Sequence, residues 1–323
     1  MPRIMSPGET RIIDPILTTQ ARGWRTPDIM RVGSVLFPRA SIPKRGANIV
    51  KFGKEAFRKY NSIRSGSENI KRVRVGYTAD TVSLVEHALE GVVTRKQLDE
   101  SAGIPAANLG MRAINVPLDA IAREIEIEQA TIAQSTANYD SNHKLALTGT
   151  DRWDDYTNSD PGVDVDAAHQ AIRATTGRRG NVLVVGPLVK DVLVRHPKIV
   201  GHFYTGAQAG AQEVTDEQLA RYFKVRQVYS GDEVWLPETS TDSDPFTDVW
   251  GKNAVLAYVP SVSGDGDIEV PSYGYSYFLE GYPLVEQAYY ENNITSWVYP
   301  VFDEVKPVLT GMGAGFLFTT VIN

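Results

Sequence analysis

The stretch Pro117 to Gln134, PLDAIAREIEIEQATIAQ, limits most strongly what this chain can fold into. Leu118, Ile121, Ile125 and Ile132 recur at steps of three, four and seven, which lays them along one stripe of a helix. Pro117 suits a first helical position, where its missing N–H would go unpaired in any case. Asp119 then falls in the first turn, near the positive end of the helix dipole, and can pair with Arg123 four residues on. Eighteen residues rising about 1.5 Å each give a rod of roughly 27 Å. One apolar stripe and a charged remainder predict a helix laid across a sheet. The charged side, with Arg123, Glu124 and Glu128, is left for solvent or a neighbour.

Such a helix sits in a chain of 323 residues, about two domains' worth. The chain has no cysteine, which excludes disulfides, thiolate metal ligands and cysteine nucleophiles. The start, MPRIMSPGET, has no apolar run of the kind a secretory signal needs. The best apolar run, Val182 to Val189, is far short of the roughly 18 residues that span a bilayer. Folding in a cytosol, with no membrane partner, is the expectation.

The net charge of −6 conceals an asymmetry. Between Arg39 and Arg74 stand eleven Lys or Arg against two acids, Glu55 and Glu68, so this segment is +9 and the remainder −15. Lys51, Lys54, Arg58, Lys59, Arg64, Lys71, Arg72 and Arg74 are its candidate contact residues. Asn48 to Phe52 and Ile70 to Val75 read as two strands with a Ser-, Gly- and Asn-rich tip between them, a long hairpin. A two-stranded hairpin is marginal alone in water and must lie on something. Basic side chains interleaved with Phe57 and Tyr60 could grip a nucleic acid. A basic projection on an acidic body instead favours pairing of hairpin to body across identical copies.

Residues 1 to about 36 are proline-punctuated and without period, an extended arm that needs a partner surface. Thr81 to Val93 continues as strand or short helix, and Thr94 to Ala102 as a short helix. Asn138 to Pro161 is turn-rich and acidic and reads as a boundary. An α/β unit follows: a helix over Val165–Thr175 ending near Gly177, a buried strand in NVLVVGP, a short helix over Leu188–Arg195, a capped helix over Thr215–Phe223, and strands near Lys224–Val228, Glu233–Leu236 and Ala254–Val259. Late strands close the chain. Tyr273, Tyr275 and Tyr277 alternate on one strand face. Ser296 to Phe302 and Gly315 to Val321 are expected to return to the long helix. The aromatic cluster from Tyr273 to Tyr299 could form a stacking platform, but strand alternation favours sheet packing.

No catalytic signature emerges. The five histidines (87, 143, 169, 196 and 202) lack metal-ligand spacing. Glu124 and Glu128 share a helix face, but the Glu-x-x-His companion of a dinuclear site is absent. Gly264-Asp265-Gly266-Asp267 lacks the later ligands of a calcium loop. The run Gly311-Met312-Gly313-Ala314-Gly315 opens no helix and is no dinucleotide fingerprint. No enzyme activity, cofactor or metal is expected.

The order of parts resembles the major capsid proteins of tailed phages with the Hong Kong 97 (HK97)-like fold. The nearest match in pattern is the ending GYPLVEQAYYENNITSWVYPVFDEVKPVLTGMGAGFLFTTVIN (281–323), with further likeness around Asn181 to Tyr204. The resemblance implies an α+β chain divided as an N-terminal arm (1–38), an E-loop β-hairpin (39–92), a P-domain with a long spine helix (93–162), an A-domain (163–272) and return strands of the P-domain (273–323). It implies hexamers and pentamers closing into an icosahedral shell around double-stranded DNA, within a virion assembled in the host cytoplasm. The implied partners are copies of the chain, scaffold, portal and decoration proteins, and packaged DNA held non-specifically. The arm begins almost at Met1, so a fused scaffolding segment is expected to be absent. Some relatives crosslink an E-loop lysine to an asparagine of another subunit. Residues of the right types here are Lys51, Lys54, Lys59 and Lys71 with Asn292 or Asn293. The alternative reading is a nucleic-acid-binding protein that uses the 39–74 segment.

Overall fold

The long helix runs from Leu109 to Gln134, eight residues earlier than its apolar stripe suggests. Pro117 is therefore interior, not at the first helical position. A proline there removes the hydrogen bond to the carbonyl four residues back, at Ala113. That carbonyl faces Gly91, where an added Cβ would stand 1.7 Å from the Ala113 oxygen. The proline is tolerated because a glycine on a distant strand lets the two backbones close against each other.

This geometry comes from a computed structural model, which describes residues 13–24, 31–51, 63, 78–101, 109–204, 213–241, 243–260 and 272–323. In chain order the first elements are α1 (Pro15–Gly23), α2 (Gly33–Leu36), β1 (Arg39–Ile42), β2 (Gly46–Lys51), β3 (Thr78–Ser83), β4 (Val85–Thr94), α3 (Arg95–Ser101), α4 (Leu109–Gln134) and β5 (Lys144–Ala146). Then come α5 (Pro161–Thr176), β6 (Val182–Val185), α6 (Pro187–Arg195), α7 (Pro197–Phe203), α8 (Asp216–Tyr222), β7 (Gln227–Ser230), β8 (Val234–Trp235), β9 (Thr247–Asp248) and β10 (Ala254–Ala257). The last are β11 (Gly274–Leu279), β12 (Leu284–Val285), β13 (Tyr289–Glu291), β14 (Ser296–Leu309) and β15 (Gly315–Thr319).

The six-stranded sheet is built on β14. Along one side β4 pairs antiparallel from Ser296↔Thr94 to Val305↔Val85. Along the other, β13, β12 and β11 follow one another, all antiparallel, and β1 lies parallel beyond β11. Pro300 sits inside β14, which a central strand normally forbids. Its carbonyl accepts from Glu286 N, so its missing N–H faces that same side, in the gap between β13 and β12. No ladder bond to β4 is lost there.

The five-stranded sheet has the order β5-β15-β10-β6-β7. The last strand returns to the long helix, as expected, but within this sheet: β15 pairs antiparallel with β10, β5 pairs parallel with β15, and Leu317 packs with Ala130 and Ala133 of α4. Phe316 and Phe318 thereby reach Trp153, whose ring lies 5.4 Å from Phe318 and is fully buried. The acidic stretch read as a boundary is thus anchored at its middle. Alternate residues of the all-buried β6 face opposite ways. Leu183 and Val185 pack with α5 to α8, while Val182 and Val184 pack with Ala130 and Ala133 of α4. The helix therefore serves both sheets: Ile114, Leu118 and Ile121 near its start join Val285 and Val301 of the other sheet.

The α/β helices follow their local signals. Asp160 caps α5, and Gly177, left-handed at φ 68°, ends it. Thr215 and Gln218 form a capping box on α8. The helix α7 had no reading from sequence, although Pro197 stands at its first position and His196 caps it. Of the three tyrosines, Tyr275 and Tyr277 do share a cluster, with Ala40, Ile42 and Val82. Tyr273 precedes β11 and turns instead toward Phe37 and Tyr139.

Candidate assembly surfaces

Among the described residues, the hairpin β2–β3 forms its own two-stranded sheet, in register from Gly46↔Ser83 to Lys51↔Thr78. The partner of the first strand is thus Thr78–Ser83. The expected second strand at Ile70–Val75 lies outside the described residues, as do Lys54, Arg58, Lys59, Arg64, Lys71, Arg72 and Arg74. Lys51 closes the described part of β2.

The hairpin joins the body through very little chain. Three residues, Pro43, Lys44 and Arg45, separate β1 from β2, and Leu84 alone separates β3 from β4. The Leu84 N–H donates to the Arg45 carbonyl at 2.9 Å, which closes the root. The Arg45 side chain then reaches into the six-stranded sheet. Its Nε donates to both oxygens of Glu304, at 3.0 and 2.9 Å, and its Nη2 to Glu86 at 3.3 Å. Glu304 and Glu86 face each other across β14 and β4, so one guanidinium separates two carboxylates that would otherwise repel. The Glu304 side chain is only 2% exposed. Its hydrogen bonds push the Arg45 pKa above the usual arginine value.

The next carboxylate along β14 is held from the other face. Asp303 pairs with Arg39 of β1 at 3.3 Å and stands in register opposite His87. Burial pushes the Asp303 carboxyl up, and Arg39 and His87 offset part of that. Its Oδ1 is buried without a hydrogen-bond partner. Beneath α4, Asp303, Arg39, Arg31, Glu126 and Ile125 border a cavity of about 430 Å³.

The charged face of the long helix is less free than its sequence suggests. Arg123 bonds Asp119 at 3.0 Å and Glu233, before β8, at 2.7 Å. Glu128 pairs with Lys306 of β14. These two residues are spent inside the chain because the helix is flanked by both sheets. Glu124 alone of the three stays well exposed, at 66%, with His87 Nδ1 at 3.4 Å. Glu126, on the same helix, is buried. It accepts from Gly33 N at 2.9 and 3.0 Å and from Trp250 Nε1 at 2.8 Å. Burial raises its pKa, and those two donors and Arg31 offset part of the rise.

A second exposed surface is apolar. Tyr290 and Trp297 face each other across β13 and β14 on one side of the sheet, beside Ile294 of the turn, while Tyr289 and Val92 stand on the opposite side. The Tyr290 and Trp297 rings meet edge to face at 5.5 Å, so the patch holds its shape. Asn292 and Asn293 lie in the turn itself. Among the described residues, no group of three or more His, Cys, Asp or Glu could hold a metal ion. No helix among them is long and apolar enough to cross a membrane. The five described histidines are scattered: His169, for one, is fully buried with Nε2 on the Phe223 carbonyl.

Residues 128–265 match the family model described as phage major capsid protein E. The major capsid protein of Burkholderia phage BcepMu is 31% identical over 316 residues, covering 96% of this chain and 97% of that protein. A phage-related protein from Bordetella bronchiseptica RB50 has a similar structure, with TM-score 0.77, 37% identity, and coverage of 96% of this chain and 97% of that one. The SrpI encapsulin of Synechococcus elongatus shares the fold at TM-score 0.55 and 12% identity, over 91% of this chain and 89% of its own. From the near full-length identity to a phage capsid subunit and this shared architecture, the chain belongs to the phage major capsid proteins and carries their α+β, HK97-like fold.

Proposed function

We propose that copies of this chain join as hexamers and pentamers and close into an icosahedral shell around double-stranded DNA, without catalysing any reaction. As a phage major capsid protein it is a structural component of the virion. The observation that carries the mode of assembly is the hairpin. Its described part pairs with no other sheet, and a two-stranded sheet needs a surface to rest on. The eight Lys or Arg from Lys51 to Arg74, against Glu55 and Glu68, make that stretch +6 and the remainder −12, complementary charge on identical molecules. Lys51, Lys54, Arg58, Lys59, Arg64, Lys71, Arg72 and Arg74 would meet acidic surface on a neighbour, and Glu124 is the helix residue left to take part. The exposed aromatic pair Tyr290 and Trp297 offers a second contact between copies.

Division into arm (1–38), hairpin (39–92), spine region (93–162), α/β region (163–272) and return strands (273–323) is part of the same reading, with β15 assigned to the α/β sheet by its pairing. Scaffold, portal and decoration proteins would be further partners, and packaged DNA would be held weakly by an acidic body. No described residue favours the alternative of a dedicated nucleic-acid-binding protein.

Negative-stain microscopy of the purified protein tests the proposal. Closed shells or capsomer rings are the expected images. A monomer at every protein and salt concentration would overturn it.

A further inference from the structure

We propose that Arg45 is a positioning residue that fixes the direction in which the hairpin leaves the body. The inference deepens the assembly reading by naming what aims the hairpin at its neighbour.

The root has only four linking residues, three going out and one coming back. Linkers that short define a hinge line, and the angle about that line must be set by contacts across it. Among the described residues, contacts of at least two kinds cross it. One is apolar: Val82 of β3 packs with Ala40, Ile42, Tyr275 and Tyr277 of the body. Such packing is non-directional and tolerates sliding. The other is Arg45, a hinge residue by its backbone and a sheet residue by its side chain. Its carbonyl takes the N–H of Leu84, which ties the outgoing and returning links to each other. Its guanidinium takes Glu304 by both Nε and Nη2 and Glu86 by Nη2, one carboxylate on each of two neighbouring strands.

A planar fork gripping two carboxylates fixes orientation as well as distance. Glu304 is buried and cannot follow if the fork swings, so the bond is broken rather than stretched when the hairpin tilts. Without Arg45 the facing Glu86 and Glu304 would repel, and the root would lose its directional contact. The apolar cluster would then keep the hairpin attached but not aimed.

The absence of native cysteine makes the test direct. Spin labels at Lys51→Cys, on the hairpin, and Thr131→Cys, on the exposed side of α4, report the angle as a distance in unassembled subunits. With Arg45 present, one narrow distance distribution is expected. Arg45→Met keeps the stem and removes the charge. It should broaden the distribution or shift its centre by about 5 Å or more, the scale of one interstrand spacing. Arg45→Lys should retain the parent's centre with intermediate width, because an ammonium can still meet Glu304 but cannot fork. If Arg45→Met unfolds the subunit, Glu86→Gln is the milder variant and should broaden the distribution while leaving the Glu304 contact. Distributions unchanged in Arg45→Met, or in Glu86→Gln where Met does not fold, would overturn the proposal. Broadening by Met and Lys alike would also support it, and would assign the aim to the planar fork rather than to charge alone. None of these readings depends on shell formation, so this inference and the assembly proposal can fail separately.

Discussion

Glu126 on the long helix accepts a hydrogen bond from the indole N–H of Trp250, 124 residues away, at 2.8 Å, with both side chains about 1% exposed. The same carboxylate takes the N–H of Gly33 on both oxygens. One buried acid thus joins the end of the arm, the spine and the α/β unit.

Replacing Trp250 by Phe removes one donor from a buried carboxylate and should cost about 1–3 kcal/mol. The cost should depend on pH. Burial raises the folded pKa of Glu126 above its unfolded value, so its protonated form favours the fold and that contribution is lost as pH rises through the folded pKa. Trp250 donates to the ionised form. The deficit of Trp250→Phe relative to the parent should therefore grow between about pH 5 and about pH 8. Urea unfolding at the two pH values checks this, and an equal deficit at both would refute the role of the indole.

Gly91→Ala should be poorly tolerated. The new Cβ would sit 1.7 Å from the Ala113 carbonyl oxygen, and a backbone atom cannot turn aside as a side chain can. Overpacking of this kind costs about 3 kcal/mol or more. Loss of soluble expression, or a much lower thermal midpoint, is the expected result. A midpoint near the parent's would mean that α4 can shift off the strand.

The contacts around Gly91 and Glu126 show where sequence reading reached its limit. The helix was legible because its apolar positions repeat locally, and the capping box of Thr215 and Gln218 was legible for the same reason. Pro117 misled, because its tolerance inside the helix depends on a glycine in β4. The burial of Glu126 and Gln129 was not legible, since the groups that bury and satisfy them, Gly33, Trp250 and Ser276, are distant in sequence. The strand at Gly315–Thr319 could be recognised, but not its sheet, because alternation reports burial and not the partner. Of the proposed contact residues, type and charge could be read, while the pairing of Arg123 with Glu233 could not.

Within the apolar stripe the structure separates two residues that looked alike. Both line the cavity, but Ile121 is buried against Val285 and Val301, whereas Ile125 is half-buried. Ile121→Ala should cost about 2–5 kcal/mol, the range for truncating a buried large aliphatic side chain. Ile125→Ala should cost about 1–2 kcal/mol, because part of its surface already lacks packing partners. Chemical unfolding of the two variants side by side checks the order, which must not be reversed.

Arg123 and Glu124 are neighbours on the helix with opposite expected phenotypes. Arg123→Met leaves the nearly buried Glu233 with Arg31 at 3.8 Å as its remaining close cation. That should destabilise the isolated subunit by about 1–2 kcal/mol, less than for a fully buried pair because Arg123 is partly exposed and Arg31 remains. Glu124 is exposed and meets only His87 at 3.4 Å. Glu124→Lys should therefore leave subunit stability within about 0.5 kcal/mol. If the acidic body receives a basic hairpin from a neighbour, the reversed charge should instead lower the yield of closed shells and make the loss steeper at low salt, where repulsion is least screened. Thermal unfolding of subunits and particle counts by microscopy, measured on both variants, distinguish the two roles. Normal shells from Glu124→Lys at low salt would remove Glu124 from the assembly surface.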